Sequence, residues 1–224
     1  MNRDAELKLS RSARYRSALY AVLARSFGAE PTDAVVAMLR EPDTRALLAN
    51  MGVDVPEVSD ELLEALVSEY TRLFLGPGEH IPPYESVFTG GAKSFSHGFG
   101  EMHSESYFKV RAAYSTAGAS NTAAFTDLED HLGAELDFMR LLSFRESQAW
   151  KKRLAAEAAG LREQQLDFLS KHPGKWIGKF AKLTIEATQI PFYGQMAALA
   201  RDFLKSEIKF LRQPISPLEV AETA

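Results

Sequence analysis

His131 and Glu135 have the spacing most suggestive of chemistry in this chain. Four positions apart on a helix, an imidazole and a carboxylate can touch. At about 100° per residue both fall on the face that carries Leu128, Leu132, Met139 and Leu142. Buried ionisable groups have to be paired, so a satisfied core pair is one reading and a polar contact lining a groove is another. Both stay open at this point. Metal or acid–base chemistry is the third reading, but one His and one Glu are too few ligands and the other four histidines are scattered.

Around this pair, residues Phe125 to Asp137 hold five carboxylates (Asp127, Glu129, Asp130, Glu135 and Asp137) and no Lys or Arg. A helix dipole accounts for the first three, whereas Glu135 and Asp137 lie beyond the first turn. Arginine, which meets carboxylates in bidentate geometry, is the natural cationic partner. The stiff, aromatic run Pro82-Pro83-Tyr84-Glu85-Ser86-Val87-Phe88 is either a loop folded over the core or one wall of a groove for an apolar peptide. Gly90-Gly91-Ala92-Lys93-Ser94 does not make a phosphate loop, because glycines are missing and no strand precedes it. Lys175, Lys179 and Lys182 with Trp176 and Phe180 read as a solvated face over core aromatics. No Ser-His-Asp arrangement can be placed, and with no cysteine there is no thiolate nucleophile, disulfide or iron–sulfur site.

The elements that must position these residues are helical. Of 224 residues 46% are hydrophobic and 25% charged, ordinary for a globular chain long enough to bury a core. A net charge of −4 argues against a general nucleic-acid binder. The N-terminus lacks the apolar region of a secretory signal, and no apolar run is long enough to span a bilayer, so a soluble, cytoplasmic protein is expected. Tyr15, Ala18, Leu19, Val22, Leu23 and Phe27 follow a helical period that ends at Gly28 and Pro31. Short helices are predicted at 32–39 and 43–51, and a longer one from Ser59 or Asp60 to the stop Gly76-Pro77-Gly78. Residues 76–100 read as a long connection, with helix resuming at 104–117. Thr126 and Glu129 form a capping box that predicts a helix start. Later helices are predicted at 148–171, 175–188 and 192–212. The expected architecture is an all-α, single globular helical domain over 1–213, with two helical halves of about 1–117 and 126–213 joined near 118–126 as the alternative organisation. The tail 214–224 is predicted to be disordered.

Three stretches in register carry a family resemblance. The first is Tyr70-Thr71-Arg72-Leu73-Phe74-Leu75-Gly76-Pro77 followed by Pro82–Phe88. The second is Glu129-Asp130-His131 followed by Glu135, Leu136, Phe138 and Met139. The third is Phe168-Leu169, His172 and Trp176, then Pro191-Phe192-Tyr193. In this order the chain resembles the TorD/DmsD family of redox-enzyme maturation chaperones, with the nitrate reductase chaperones more distant. The resemblance implies an all-helical chaperone without catalytic activity. Such a protein binds the twin-arginine signal peptide, and often the mature part, of an apo molybdenum-cofactor oxidoreductase of the DMSO reductase type, and delays export until the cofactor is inserted. It implies peptide-binding roles for Asp130 and His131, and places Tyr70 and Tyr84 along a groove. Phe74, Pro82, Pro83, Ser86 and Glu135 complete the candidate groove. No cofactor is expected of the chaperone itself, although relatives suggest a guanine nucleotide. No nucleic acid or stable membrane insertion is expected, and monomer and homodimer both fit. Relatives often read Glu-Pro-x-Asp-His where this chain has Asp127-Leu128-Glu129-Asp130-His131, a change that continues the predicted helix backwards.

Overall fold

Why do the first residues form one long helix? Asn2 caps it, its side chain accepting the Ala5 amide at 2.8 Å, and no Pro or Gly interrupts the next 25 residues. The resulting α1, Arg3–Phe27, begins well before the periodic run at Tyr15. Its partner is α7, Leu132–Lys151. Ser10 Oγ donates to the Ser147 carbonyl at 2.9 Å and Ser17 Oγ to the Arg140 carbonyl at 3.1 Å, so the two helices run antiparallel.

This computed structural model describes residues 2–57, 59, 61–76, 80–90, 105–119 and 128–215. Among them the chain is all-α. After α1 come α2 (Asp33–Arg40), α3 (Pro42–Asn50) and α4 (Leu62–Tyr70), then a π-helical turn over Thr71–Leu75. Next are α5 (Glu85–Thr89) and α6 (Glu105–Thr116). Beyond α7 lie α8 (Ala155–Lys171), α9 (Pro173–Ala187) and α10 (Pro191–Arg212). Proline opens α3, α9 and α10, where its missing N–H is harmless. The expectations on Pro77-Gly78, Gly91–Gly100, Thr126, Asp127 and the tail beyond residue 215 lie outside the described residues.

Three boundaries differ from the sequence reading. The helix expected to start at Thr126 starts at Leu132: Glu129 and Asp130 form a turn, and His131 is extended, at φ −70° and ψ 138°. The single helix expected over 148–171 is broken at 152–154, where Arg153 takes a positive φ of 62° and its Nε donates to Glu6 at 3.0 Å. The connection read over 76–100 contains α5.

Buried apolar residues from Leu19 to Leu211 form one continuous core that draws on α1 as well as α7–α10. Within it lies a buried polar network. Arg16 donates to Gln165 at 2.8 Å, to Glu207 at 3.1 Å and to Glu146, while Gln165 Nε2 and Trp150 Nε1 also donate to Glu146. Arg162 lies over the Phe210 ring and 3.6 Å from Glu146. Removing one member of such a network leaves its partners as uncompensated charges. Arg16→Ala is therefore expected to lower stability by about 3–5 kcal/mol in urea unfolding. Lys182→Ala, at the exposed Lys182–Glu186 pair, is expected to change it by less than about 0.5 kcal/mol.

Candidate functional site

The site begins with two backbone segments that meet edge to edge. Leu132 N donates to the Pro83 carbonyl at 2.8 Å and Glu85 N to the Asp130 carbonyl at 2.9 Å, with Tyr84 and His131 facing each other as an isolated antiparallel bridge. Pairing of this kind needs extended backbone, which is why α7 cannot begin before Leu132.

The adjacent residues Asp130 and His131 cap two different helices. Asp130 Oδ2 accepts the Ser86 amide at 2.9 Å, closing the N-terminus of α5 from a distant part of the chain. His131 Nδ1 accepts the Gly133 amide at 3.0 Å and caps α7 itself. A ring nitrogen that accepts carries no proton, so neutral His131 holds its proton on Nε2. The Tyr84 ring stands edge-on to the imidazole with centroids 5.0 Å apart.

Behind this joint lie buried acids and imidazoles. Glu135, fully buried on α7, accepts Trp176 Nε1 at 3.1 Å through Oε2. Glu85, the first residue of α5, has its Oε2 3.0 Å from His172 Nδ1. Glu85 also stands near enough to Glu135 for the two carboxyls to repel each other when charged. Glu135 Oε1 finds no N–H or O–H donor among the described residues, and neither Ser86 Oγ nor Asp130 Oδ1 has a partner among them. Burial first, and then the Glu85 carboxyl, push Glu135 well above the usual carboxylate range. Burial also raises Asp130, against the pull of the hydrogen bond from the Ser86 amide.

Helix geometry delivers His172 and Trp176 to the acids. His172 ends α8 and precedes Pro173, and Gly174 allows the corner to close: a Cβ there would stand 2.3 Å from the Leu169 carbonyl oxygen. Phe88 stacks on Trp176 at 5.2 Å, and Lys179 lies over the Phe88 ring. Outside the joint, an open cavity of about 700 Å³ lies between α5, α6 and the α8–α9 corner. Glu85 and His172 form its floor, with Thr89, Ser106, Lys109 and Lys175 around them.

Of the residues chosen from sequence, Pro83, Tyr84, Ser86, Asp130, His131 and Glu135 come together here, with half-buried Pro82 beside them. Tyr70 and Phe74 do not line an open groove. They are packed into an aromatic cluster with Phe27, Phe180 and Tyr193, and the Tyr70 hydroxyl donates to the Phe27 carbonyl at 3.0 Å. Phe74 reaches the site through Phe180, which touches both Phe88 and Trp176. The acidic run does not form one patch either. Asp137 pairs with Arg140 at 2.5 Å and lines a different cavity, of about 740 Å³, between α1, α2 and α7. Glu85, His172 and Trp176 are site residues that the spacing argument passed over, although all three stand in the stretches that carry the family resemblance. Among the described residues no group of three or more His, Asp or Glu is disposed to hold a metal ion.

Two outcomes follow from this geometry. Asp130→Ala should speed hydrogen exchange at the Ser86 amide and lower stability by about 1–2 kcal/mol, while Asp130→Asn, which keeps an acceptor oxygen, should do less. A carboxyl raised on folding binds its proton more tightly in the folded state. Its contribution is therefore present at low pH and lost as pH rises from the ordinary carboxylate range through the folded value. Melting temperatures should show Glu135→Gln gaining on the wild type as pH rises.

Residues 29–182 match the family model described as nitrate reductase delta subunit. Curated relatives include a protein named Chaperone protein TorD from Aliivibrio fischeri, 24% identical over 213 residues, covering 88% of this chain and 94% of the relative. Another of the same name, from Aeromonas salmonicida, is 28% identical over 215 residues, covering 88% and 91%. Among solved structures, a candidate redox enzyme maturation protein from Archaeoglobus fulgidus is 20% identical, covers 89% of this chain and 94% of its own, and superposes with a TM-score of 0.44.

Proposed function

The chain belongs to the nitrate reductase delta subunit family, which includes the TorD chaperones, and from that membership we propose that it escorts an apo molybdenum-cofactor oxidoreductase of the DMSO reductase type. As a member of a chaperone family it is not an enzyme. In this reading it binds the client's twin-arginine signal peptide, and part of the mature client, in the cytoplasm and delays export until the cofactor is in place. No helix among the described residues is long and apolar enough to cross a membrane, which is compatible with that role.

The observation that supports the peptide assignment best is the cavity floored by Glu85. A twin-arginine signal presents guanidinium groups followed by an apolar segment. Its complement is a carboxylate beside half-buried aromatic surface. Glu85 supplies the carboxylate, and the half-buried Tyr84 and Phe88 stand on the same segment next to the cavity, packed against His131 and Trp176. Lys109 and Lys171 on the rim are already paired with Glu105 and Asp167, at 2.8 and 2.5 Å. Arg–carboxylate pairing would set the peptide's orientation, and apolar burial would carry much of the affinity. Asp130 and His131 act in this reading through the caps that hold the Pro82–Thr89 wall against α7, since both side chains are buried.

A fluorescently labelled peptide with two adjacent arginines and an apolar segment should bind, and should bind at least tenfold more weakly, on the order of 1.4 kcal/mol, after both arginines become alanine. No binding, or equal binding by the two peptides, sinks the reading.

A further inference from the structure

Three carboxyls, Glu85, Asp130 and Glu135, are buried in this cluster. The buried guanidiniums among the described residues, Arg16 and Arg162, both belong to the network around Glu146, about three turns further along α7. Lys109, Lys171 and Lys175 stand around the cavity, outside the cluster. The acids therefore lack a buried cation of their own. Glu135, moreover, is completely buried with an oxygen that no described N–H or O–H donor reaches, next to the carboxyl of Glu85, which opens onto the cavity. A polar atom left this way is costly unless something satisfies it, and a proton on the Glu135 carboxyl lowers that cost.

Taking the twin-arginine peptide as ligand, and so resting on that reading, we propose that one guanidinium enters the cavity, pairs with Glu85 and displaces the proton of the buried Glu135 carboxyl behind it. The Glu135 carboxyl loses H⁺ to the solvent buffer and becomes a carboxylate, and no other bond is made or broken. The exchange is feasible because the charge of the carboxyl pair with its counter-charge is the same before and after. One proton balances two carboxylates in the free state, and one guanidinium balances them in the bound state. Burial therefore does not have to accommodate an additional net charge. Trp176 Nε1 continues to donate to Glu135 throughout.

Other titratable groups face the pair from each neighbouring element. Asp130 lies in the turn before α7, Tyr114 on α6 and His172 at the start of α9, and Lys175 is on the rim. Tyr114 is held well above its ordinary range by burial and stays neutral. His172 also touches Glu85, so an imidazole is the rival source of any released proton. Glu135→Gln separates the two. It keeps a neutral side chain able to donate to Glu85, and it leaves His172 untouched.

The experiment is isothermal titration calorimetry of the intact chain with a synthetic twin-arginine signal peptide, in buffers of different ionisation enthalpy. The wild type should release up to one proton per peptide bound, and its affinity should rise with pH, by up to about tenfold per unit, until Glu135 loses its proton in the free protein and should level off above that. Glu135→Gln should bind with no proton release and a flat pH profile, and circular dichroism melting checks that it is folded. Binding by the wild type without proton release, or undiminished release in Glu135→Gln, overturns this inference alone. Absence of any peptide binding overturns the peptide reading and this inference with it.

Discussion

The pairing of Pro83–Glu85 with Asp130–Leu132 is the contact on which the candidate site depends. Two backbone hydrogen bonds place the segments side by side, and the side chains then follow from neighbouring positions. Asp130 meets the start of α5, His131 turns onto the start of α7, and Glu135, one turn further, points inward at Glu85 and Trp176. A five-residue helix such as α5 has too few internal hydrogen bonds to stand alone. It exists because a carboxylate from elsewhere in the chain caps it and because Phe88 packs on Trp176. Local structure here is a product of tertiary contact.

The chain buries charge in two places and handles it differently. Around Arg16 the carboxylates of Glu146 and Glu207 face guanidiniums, so opposite charges neutralise one another and the network ties α1 to α7, α8 and α10. Around Glu135 the acids stand near one another and the His172 imidazole. Among the described residues no buried guanidinium faces them, and burial holds Glu135 and Asp130 above the ordinary carboxylate range. The first arrangement is complete within the molecule and reads as architecture. The second lies beside the open cavity. That contrast, more than the count of acidic residues, distinguishes a candidate binding site from a structural knot.

Much of the helical layout was legible in the sequence, because apolar residues recurring every three or four positions leave few alternatives to amphipathic helices. Gly28 and Pro31, read as the end of the first helix, stand just beyond Phe27, where α1 ends. The errors fell where a longer-range contact outweighed a local signal. Glu129, read as part of a capping box, sits in a turn because the bridge to Tyr84 holds His131 in extended backbone just before α7. The break at Arg153 is answered by Glu6, a residue 147 positions away. Tyr70 and Phe74 carried the right residue types for a groove, but their hydroxyl and ring partners lie in the core.

By itself, the sequence determined the fold class, the absence of cysteine chemistry and the family, since periodicity, composition and motif register need no coordinates. It also marked Asp130, His131 and Glu135 as residues of interest. Only the tertiary structure decided what each of them does. Asp130 could be recognised as the cap of a distant helix only once that helix lay beside it. Glu135 could be recognised as a buried acid near a second one only once Glu85, fifty positions earlier, was brought beside it. Capping in trans and the Glu85–His172 contact depend on distances of about 3 Å between groups far apart in the chain. Distances of that kind are set by packing the whole core.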